Sequence, residues 1–223
     1  MATGRTWMSW SGGKDGALAL HRLRGQEGVE VTGLLTTVSA ERGRVPLQEV
    51  RAGLIAAQAE RLGLPLHRID LPEPCPNDVY EEAVGAALAA AARRGVEHIA
   101  FGDLALADVR AYREALVART GLTPLFPLWG EATDDLAHEL LEAGITATLT
   151  CVDTAQAPAA LAGRAFDAAL LTDLPAGVDP CGEHGEFHTF VTDAPGFTSP
   201  IAVEHGGVTE RGGYAVCDLL PAG

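Results

Sequence analysis

Lysine and aromatic residues are scarce in this chain, and acidic residues dominate its charge. Of the 16 Lys and Arg residues only Lys14 is a lysine, and aromatic residues make up 5% of the sequence. The 30 Asp and Glu residues give a formal net charge of −14. Because binding to nucleic-acid phosphates needs clustered Lys and Arg, this balance argues against a nucleic-acid partner. A polyphosphate ligand would also be repelled at long range, so its affinity must come from local N–H groups and a few cations, with Mg²⁺.

Long apolar runs and cysteine pairs are also missing. No run approaches the roughly 20 residues that a membrane-spanning helix needs, so no membrane partner is predicted. The first residues lack the basic and apolar regions of a secretory signal, which predicts a cytoplasmic protein. The four cysteines, Cys75, Cys151, Cys181 and Cys217, form no Cys-x-x-Cys pair and are expected to be free thiols. A hydrophobic content of 47% in 223 residues suits one large domain, or one domain with a modest appendage.

The most informative stretch passes from an apolar run into a helical pattern through Ser11, Gly12 and Gly13. At such a helix start the unpaired N–H groups and the positive end of the helix dipole attract anions. Both glycines are expected to take positive φ and to let the backbone approach an anion closely. The single lysine, Lys14, falls here, where a compact positive charge suits a phosphate. We interpret residues 11–16 as a nucleotide phosphate loop.

The spacing of this loop differs from the two commonest nucleotide motifs. It has neither the Walker spacing before Lys-Ser/Thr nor the Gly-x-Gly-x-x-Gly of dinucleotide-binding folds. Ser-Gly-Gly-Lys-Asp-Gly resembles instead the PP-loop of the ATP pyrophosphatases, Ser-Gly-Gly-x-Asp-Ser/Thr. That resemblance implies ATP binding and cleavage between the α and β phosphates. Gly16 departs from the pattern. It lacks the hydroxyl of the usual Ser/Thr, which can hold phosphate or Mg²⁺. The alternative interpretation is a Gly-rich turn that only connects a strand to a helix.

Strand and helix patterns alternate through the first part of the chain. After the strand that leads into the phosphate loop, strands are predicted at 29–38, 66–70, 98–101 and 124–126. Helices are predicted after the loop and at 46–63, 77–94 and 106–120. This alternation predicts an α/β fold, a Rossmann-like parallel sheet with helices on both faces. Ligands of such sheets bind at the carboxyl ends of strands, so the phosphate loop and Gly102-Asp103 are expected on either side of the switch point.

A boundary is predicted at 127–130. It divides the chain into an ATP-binding domain, 1–129, and a smaller α/β substrate-recognition domain, 130–223. Within the second part the patterns predict a helix at 134–143, a half-exposed strand at 146–152, a helix at 158–171, a loop at 175–185, and strands at 187–192, 201–205 and 214–219.

A second group of functional side chains lies between residues 179 and 189. It comprises Asp179, Glu183 and Glu186, the imidazoles of His184 and His188, and the thiol of Cys181. The carboxylates suit a cation or a proton, and the histidines are expected to titrate near neutral pH. Zinc held by the cysteine and the two histidines is one alternative, although no fourth ligand stands at the usual spacing. A solvated surface turn is the other.

Residues 177–195 resemble the signature of the diphthine–ammonia ligase family, also called diphthamide synthetase. That signature reads roughly Cys-Gly-Glu-Asn-Gly-Glu-Tyr-His-Thr followed by Asp-Ala-Pro. Here His184 replaces Asn and Phe187 replaces Tyr, which bears on substrate preference. The family also carries the PP-loop near its start, a Gly-Asp before a helix with Arg and Glu, and Pro-Leu-Trp at the domain junction, here 127–129. The resemblance covers nearly the whole chain in order.

This resemblance implies ATP-dependent amide formation, in which a carboxylate is adenylated, pyrophosphate leaves and ammonia attacks. Loop N–H groups and Lys14 would then stabilise the departing pyrophosphate, and Asp15 and Asp103 would share Mg²⁺. Glu183 and Glu186 would bind ammonium, with His188 as a base. The candidate catalytic residues are therefore Lys14, Asp103, Glu183, Glu186 and His188, and the candidate ATP-binding residues are Ser11, Gly12, Gly13, Lys14, Asp15, Gly16 and Gly102.

The expected partners are ATP, ammonium and a carboxylate-bearing acceptor. In the family the acceptor is diphthine, a modified histidine on a translation elongation factor. Two alternatives come from other classes. A PP-loop enzyme acting on tRNA would need paired reactive cysteines and a basic surface, and a non-catalytic ATP-binding sensor would not need the cluster at 179–189. For Asp103 the alternative is a helix cap, and Arg110 and Arg113 are expected to be structural or to steer phosphate.

Overall fold

The computed structural model describes residues 3–222. The strands are β1 (Gly4–Ser9), β2 (Val29–Ser39), β3 (Arg44–Val45), β4 (Val50–Arg51), β5 (Leu66–Leu71), β6 (His98–Ala100), β7 (Thr123–Leu125), β8 (Thr146–Asp153), β9 (Phe187–Asp193), β10 (Val203–Arg211) and β11 (Tyr214–Pro221). The helices are α1 (Lys14–Gly25), α2 (Ala52–Leu62), α3 (Asn77–Arg93), α4 (Ala107–Val117), α5 (Thr133–Glu142) and α6 (Ala168–Asp173), with a 3₁₀ turn at Ala159–Leu161. Within residues 3–222, no helix combines the length and the apolarity that crossing a bilayer requires.

Five strands form a parallel sheet in the order β5-β2-β1-β6-β7. Successive side chains of β1 point to opposite faces, so that Met8 packs with the residues of α1 and α2 and Trp7 with those of α3 and α4. The strand order reverses between β1 and β6, which is the switch point of the sheet. The predicted Rossmann-like α/β sheet is confirmed.

The second sheet is antiparallel, in the order β10-β11-β8-β9. Strands β8, β9 and β11 share one buried apolar cluster with α1 and α2, in which Leu18 and Leu54 belong to the same core as Leu149 and Phe190. Strand β9 lies closest to the phosphate loop, because the N–H of Val191 donates to the carbonyl of Gly12 (2.9 Å). The division of the chain at residues 129 and 130 stays a prediction.

The helix predicted from Pro46 begins at Ala52 instead. Residues 44–51 form a small antiparallel hairpin of β3 and β4, in which Val45 pairs with Val50. Both valines are buried, and Leu47 at the tip is exposed. Leu47, Val50 and Leu54 stand at helical spacing, but Leu47 is the exposed tip of the hairpin and Val50 is buried in its second strand, so the periodicity misled the prediction.

Two further predictions in the second part need correction. The helix predicted at 158–171 is broken after the 3₁₀ turn, because Gly163 takes φ 86° and the chain then pairs along β8 through Thr148 and Ala165. Asp167 starts α6 by accepting the N–H of Leu170. The strand predicted to be half-exposed is buried from residue 147 to 152. It lies inside the sheet with both faces covered, so its threonines reflect the strand preference of β-branched residues and not a solvent face. The strand predicted at 201–205 runs on to residue 211 as β10.

Candidate functional site

A cavity of about 800 Å³ opens at the carboxyl ends of β1 and β6. All residues of the phosphate loop except Gly12 line it, together with Gly102 and Asp103, on either side of the switch point, as predicted. Gly102 approaches the start of α1 closely, since a Cβ atom at this position would lie 2.9 Å from the backbone nitrogen of Gly16. Residues 181–185 and 187–189 form another wall, so the two motifs found in the sequence face one space.

The deep part of the cavity is apolar. It lies under the face of the sheet that α3 and α4 cover, and its lining includes Leu35, Val84, Leu88, Ile99, Phe101 and Leu116. A volume of this size falls within the range of roughly 300–1,000 Å³ found for small-molecule sites. An apolar floor beside a polar loop suits a ligand with a flat ring at one end and charge at the other.

The phosphate loop is held open by its glycines. Gly12 takes φ 83°, as expected, and a Cβ atom there would lie 2.5 Å from Cδ1 of Ile55. Gly13, by contrast, is extended (φ −85°) at the N-cap of α1, which corrects the expectation of positive φ. Among the described residues, no acceptor pairs with the N–H groups of Ser11, Gly13 and Gly16. Free N–H groups at a helix start provide what an anion needs.

Lys14 is almost completely buried, with 2% of its surface exposed. Its ammonium donates to both carboxylate oxygens of Asp15 (2.9 Å each) and to the carbonyl of Cys181, and it lies 5.6 Å from the ring centres of Phe166 and Phe187. Burial disfavours the charged form, but Asp15, Cys181 and Asp179 together outweigh it, so that the pKa of Lys14 lies above its ordinary value. These partners differ from the phosphate that we expected. The ammonium anchors the loop at 179–186 to α1.

Two residues that hold the phosphate loop were missed in the sequence. Thr189 of β9 accepts the N–H of Lys14 through its hydroxyl (3.1 Å), so this N–H is not available to a ligand. Gln58 of α2 bonds to Trp10, Gly12 and the carbonyl of Val191. The available signal was a glutamine within the buried, otherwise apolar stripe of α2.

Asp103 is an ion-pair residue and not the helix cap considered as its alternative. Nε of Arg113 donates to its Oδ2 (2.6 Å), and the N-cap of α4 is Leu106. The Arg113 guanidinium lies 4.7 Å from the centre of the Phe101 ring. Asp15 and Asp103 thus both reach the cavity wall, each beside a cation. This fits Mg²⁺ that arrives with phosphate oxygens, because such ions use only one or two carboxylates.

Zinc at Cys181, His184 and His188 is not supported. Between residues 3 and 222 there is no group of three or more His, Cys, Asp or Glu side chains placed to hold a metal ion. The Cys181 thiol is buried and donates to the carbonyl of Thr133 (3.3 Å). Burial raises the pKa of this thiol to about 12, so Cys181 is protonated at neutral pH.

The loop at 179–186 folds around two carboxylates. Asp179 accepts the N–H groups of Cys181 (2.8 Å) and Glu183 (3.2 Å) and the hydroxyl of Thr133 (2.6 Å). Glu186 is buried and accepts the N–H groups of Asp179 (3.0 Å) and His184 (2.9 Å). Both oxygens of Glu186 are therefore engaged by the backbone, and Glu186 is not among the described residues that line the cavity. The binding of ammonium by Glu186 stays a prediction.

Glu183 lines the cavity and ties the same loop to α4. Its Oε1 accepts the N–H groups of Ala105 (2.7 Å) and Leu106 (3.1 Å) at the start of that helix. Burial raises the pKa of Glu183, and the two N–H groups partly offset this by favouring the carboxylate. Of the two glutamates predicted to bind ammonium, Glu183 is the one with a place at the cavity.

His188 lies on β9 and also lines the cavity. Burial, with the nearby Lys14 ammonium, lowers the pKa of His188 to about 4. This corrects the expectation of titration near neutral pH. The imidazole is neutral at pH 7 and keeps a free lone pair.

Arg110 has a structural role, one of the two expected of it. Its guanidinium lies between the rings of Phe126 (4.6 Å) and Trp129 (4.7 Å) and pairs with Glu114. Such contacts stabilise the junction between the parallel sheet and the following segment. Arg113, in contrast, reaches the cavity wall.

Two family models match the chain. The diphthamide synthase N-terminal domain matches residues 4–124, and the diphthamide synthase C-terminal domain matches residues 132–217. The chain is similar to the diphthine–ammonia ligase of Homo sapiens, with 30% identity over 173 residues that cover 70% of this chain and 64% of the human protein. The Rattus norvegicus diphthine–ammonia ligase is 27% identical over 217 residues, covering 87% of this chain and 80% of the rat protein. The Bos taurus relative matches to the same extent as the human one, so the chain spans 64% of the length of these two relatives.

Proposed function

The chain belongs to the diphthamide synthase family, and from this premise we propose that it is an ATP-dependent ligase that joins a carboxylate to ammonia, releasing AMP and diphosphate. One observation carries the proposal. The phosphate loop and the segment 181–189, which lie far apart in the sequence, line a single cavity at the switch point of the parallel sheet. The names of the relatives support the same chemistry, since each is a diphthine–ammonia ligase.

ATP binds with its adenine ring in the apolar part of the cavity and its phosphates at the loop. The N–H groups of Ser11, Gly13 and Gly16 and the dipole of α1 compensate the phosphate charge. Asp15 and Asp103 would hold Mg²⁺, which would neutralise charge on the departing diphosphate. Lys14 contributes by fixing Asp15 and the loop at 179–186, since its ammonium is buried between them.

The reaction has two steps. A carboxylate oxygen of the acceptor attacks the α-phosphorus, the bond between the α-phosphorus and the bridging oxygen breaks, and diphosphate leaves with that electron pair. Ammonia then attacks the acyl carbon, the bond to AMP breaks, and the nitrogen loses one proton. The cavity holds the reactants together, which favours attack by ammonia on the acyl carbon.

Glu183 and His188 serve the ammonia step. The Glu183 carboxylate at the cavity wall binds ammonium by charge and hydrogen bonding, and it accepts the proton that ammonium loses when it becomes the attacking ammonia. The His188 imidazole, which is unprotonated at neutral pH, accepts the proton from the strongly acidic nitrogen of the tetrahedral adduct. The acceptor is a diphthine-like carboxylate, a modified histidine on a translation elongation factor.

The test measures AMP and diphosphate by ³¹P NMR with the full chain, ATP and Mg²⁺, with and without ammonium and an elongation factor carrying diphthine. We expect amide product only when acceptor and ammonium are both present. Glu183→Gln should lower the rate of amide formation roughly 10- to 100-fold, the effect of losing a charged hydrogen bond. Glu27→Gln, the same change at an exposed residue, should not.

Other outcomes identify the alternatives. ATP binding without any product in the presence of every acceptor would indicate a sensor. Release of AMP that depends on tRNA would indicate the tRNA-modifying class. Either result would contradict the ligase proposal.

A further inference from the structure

Gln58 is a buried polar side chain on the otherwise apolar face of α2, with 0% of its surface exposed. Its Oε1 accepts the indole N–H of Trp10 (2.8 Å), and its Nε2 donates to the carbonyls of Gly12 (3.0 Å) and Val191 (2.7 Å). An indole only donates and a carbonyl only accepts, so just one orientation of the carboxamide satisfies all three partners. The side chain therefore joins the strand end, the phosphate loop and β9.

The backbones of the loop and β9 also meet directly. The N–H of Val191 donates to the carbonyl of Gly12 (2.9 Å), and the N–H of Lys14 donates to the Thr189 hydroxyl (3.1 Å). Gly13 packs so closely that a Cβ atom there would lie 3.3 Å from the Thr189 carbonyl. The edge of β9 that β8 leaves free is thus closed by the phosphate loop.

From these contacts we propose that Gln58 and Thr189 are positioning residues, which hold the phosphate loop and β9 in one fixed arrangement around the cavity. The inference rests on the proposed function, because it concerns the ATP site. Gln58 lies behind the loop, outside the described residues that line the cavity, and acts through Gly12 and Val191. Thr189 follows His188 directly, so the bond from Lys14 also fixes the strand position that presents the imidazole.

The consequence is that nucleotide bound at the loop stabilises β9 as well. Ordering of the loop by phosphate strengthens its bonds to Gln58 and Thr189, and these bonds transmit the stabilisation across to the second sheet. A residue with a purely structural role would instead change the exchange rates by the same factor with and without nucleotide.

Amide hydrogen exchange on the full chain tests this inference, with Mg²⁺-ATP at saturation and without it. In the wild type we expect ATP to slow exchange at residues 10–16 and at 187–193. Gln58→Glu keeps an acceptor for Trp10 but cannot donate to Gly12 or Val191. It should keep the slowing at 10–16 and lose it at 187–193.

Thr189 supplies the second arm, which decides the matter if Gln58→Glu does not fold. Thr189→Val replaces the hydroxyl with a methyl group, and this protein should lose the ATP-dependent slowing in β9. Thr189→Ser keeps a hydroxyl and should retain the slowing. Gln26→Glu, the same exchange at an exposed position, should behave as the wild type.

The outcomes separate the inference from the proposed function. If ATP slows exchange in β9 of the Gln58→Glu and Thr189→Val proteins as much as in the wild type, the positioning role is refuted and the ATP site stands. If the folded variants exchange faster throughout both sheets irrespective of ATP, the role is only structural and the inference is again refuted. If ATP slows no exchange at residues 10–16 of the wild type, the proposed function fails and the inference with it.

Discussion

A side chain at Gly16 has room that a side chain at Gly102 lacks. A Cβ atom at Gly16 would lie 3.8 Å from the Trp10 ring, an ordinary contact, and the residue is in the first turn of α1. We expect Gly16→Ser to raise the free energy of unfolding by about 0.5 kcal/mol, because glycine is unfavourable within helices. The new hydroxyl should leave the ATP affinity unchanged or improve it. Urea denaturation and ATP titration measure both effects.

Gly102→Ser is the matched comparison. Its Cβ atom would lie 2.9 Å from the Gly16 nitrogen and 3.0 Å from the Asp15 carbonyl carbon, both backbone atoms that cannot rotate away. We expect Gly102→Ser to lower the free energy of unfolding by about 1–3 kcal/mol, as overpacking does at other sites, and to weaken ATP binding. A Gly16→Ser protein with tenfold weaker ATP binding would mean that the ligand itself needs the space at Gly16.

His188 makes the stability of the protein depend on pH. The pKa of His188 is about 4 in the folded chain, against an ordinary value of 6.5, because burial disfavours the imidazolium. Between these values the unfolded chain binds a proton that the folded chain does not. The neutral His188 therefore contributes up to about 3 kcal/mol to the free energy of unfolding. This contribution is fully present above about pH 6.5 and is lost as the pH falls towards 4. Urea denaturation over this pH range measures the slope.

His188→Gln removes the titrating group and should flatten this part of the profile. The same substitution at the exposed His21, His21→Gln, provides the comparison for the change of side chain. An NMR titration that finds the pKa of His188 near 6.5 would contradict the prediction, and with it the neutral imidazole assigned to the ammonia step.

Lys14 shows what the sequence could and could not predict about the site. The phosphate loop and Gly102-Asp103 were predictable, because local patterns indicate which strand each follows, and parallel strands share an edge. The partner of the Lys14 ammonium was not, since the Cys181 carbonyl is distant in sequence and backbone carbonyls carry no residue signature. Thr189 and Gln58 were missed for the same reason. Their roles arise from how β9 meets the loop.

Among the elements, the hairpin of β3 and β4 carries an unusual backbone. Leu47 at its tip takes φ 67° and is 64% exposed. Left-handed conformation costs a non-glycine residue roughly 1–2 kcal/mol. Leu47→Gly and Leu47→Ala both remove the side chain, but only glycine relieves this cost. We expect the glycine variant to be the more stable by about 1 kcal/mol in urea denaturation.

Val79 of α3, which is 37% exposed, gives the opposite order and serves as the control. There the alanine variant should be the more stable by about 1 kcal/mol, because the backbone is helical. The hairpin is anchored by Arg44 and Arg51, which both pair with Asp218 of β11. If the Leu47→Gly protein were less stable than the Leu47→Ala protein, these ion pairs would not be holding the tip in the left-handed conformation.

Sequence patterns predicted well those elements whose own residues show, by their apolar spacing, which face is buried. The parallel sheet and α1, α3, α4 and α5 each carry their own apolar stripe. The helix expected at 158–171 fails because the chain there pairs along β8, and a pairing with a distant strand leaves no periodicity of its own. The hairpin fails because two residues in left-handed conformation, Leu47 and Glu49, are neither glycine nor asparagine. Local propensity gave way to tertiary contacts at both places.

Over the whole molecule, contacts at several places join the parallel sheet and its helices to the second part of the chain, and some of them lie at the phosphate loop. Ion pairs from Arg22 to Glu131 and Glu139 tie α1 to the segment around α5. The loop at 179–186 reaches α4 through Glu183, and β9 contacts the loop. One continuous core then follows from the packing of α1 between the sheets. Nucleotide bound at the loop thus meets residues of both halves of the chain.

The net charge of −14 makes a prediction about ATP association. A polyanion approaching a strongly acidic protein is slowed by repulsion, and salt screens that repulsion as the Debye length falls from about 30 Å at 0.01 M to about 8 Å at 0.15 M. We therefore expect the association rate constant for a fluorescent ATP analogue to rise a few-fold over this range at constant Mg²⁺. Stopped-flow fluorescence measures the rate. The corresponding adenosine analogue, which carries no phosphate, should associate at a rate independent of salt.

A rate constant for the ATP analogue that falls with salt would mean that the cations at the cavity wall, Arg42 and Arg113, outweigh the field of the whole molecule. The site would then attract phosphate from a distance, as nucleic-acid-binding proteins do.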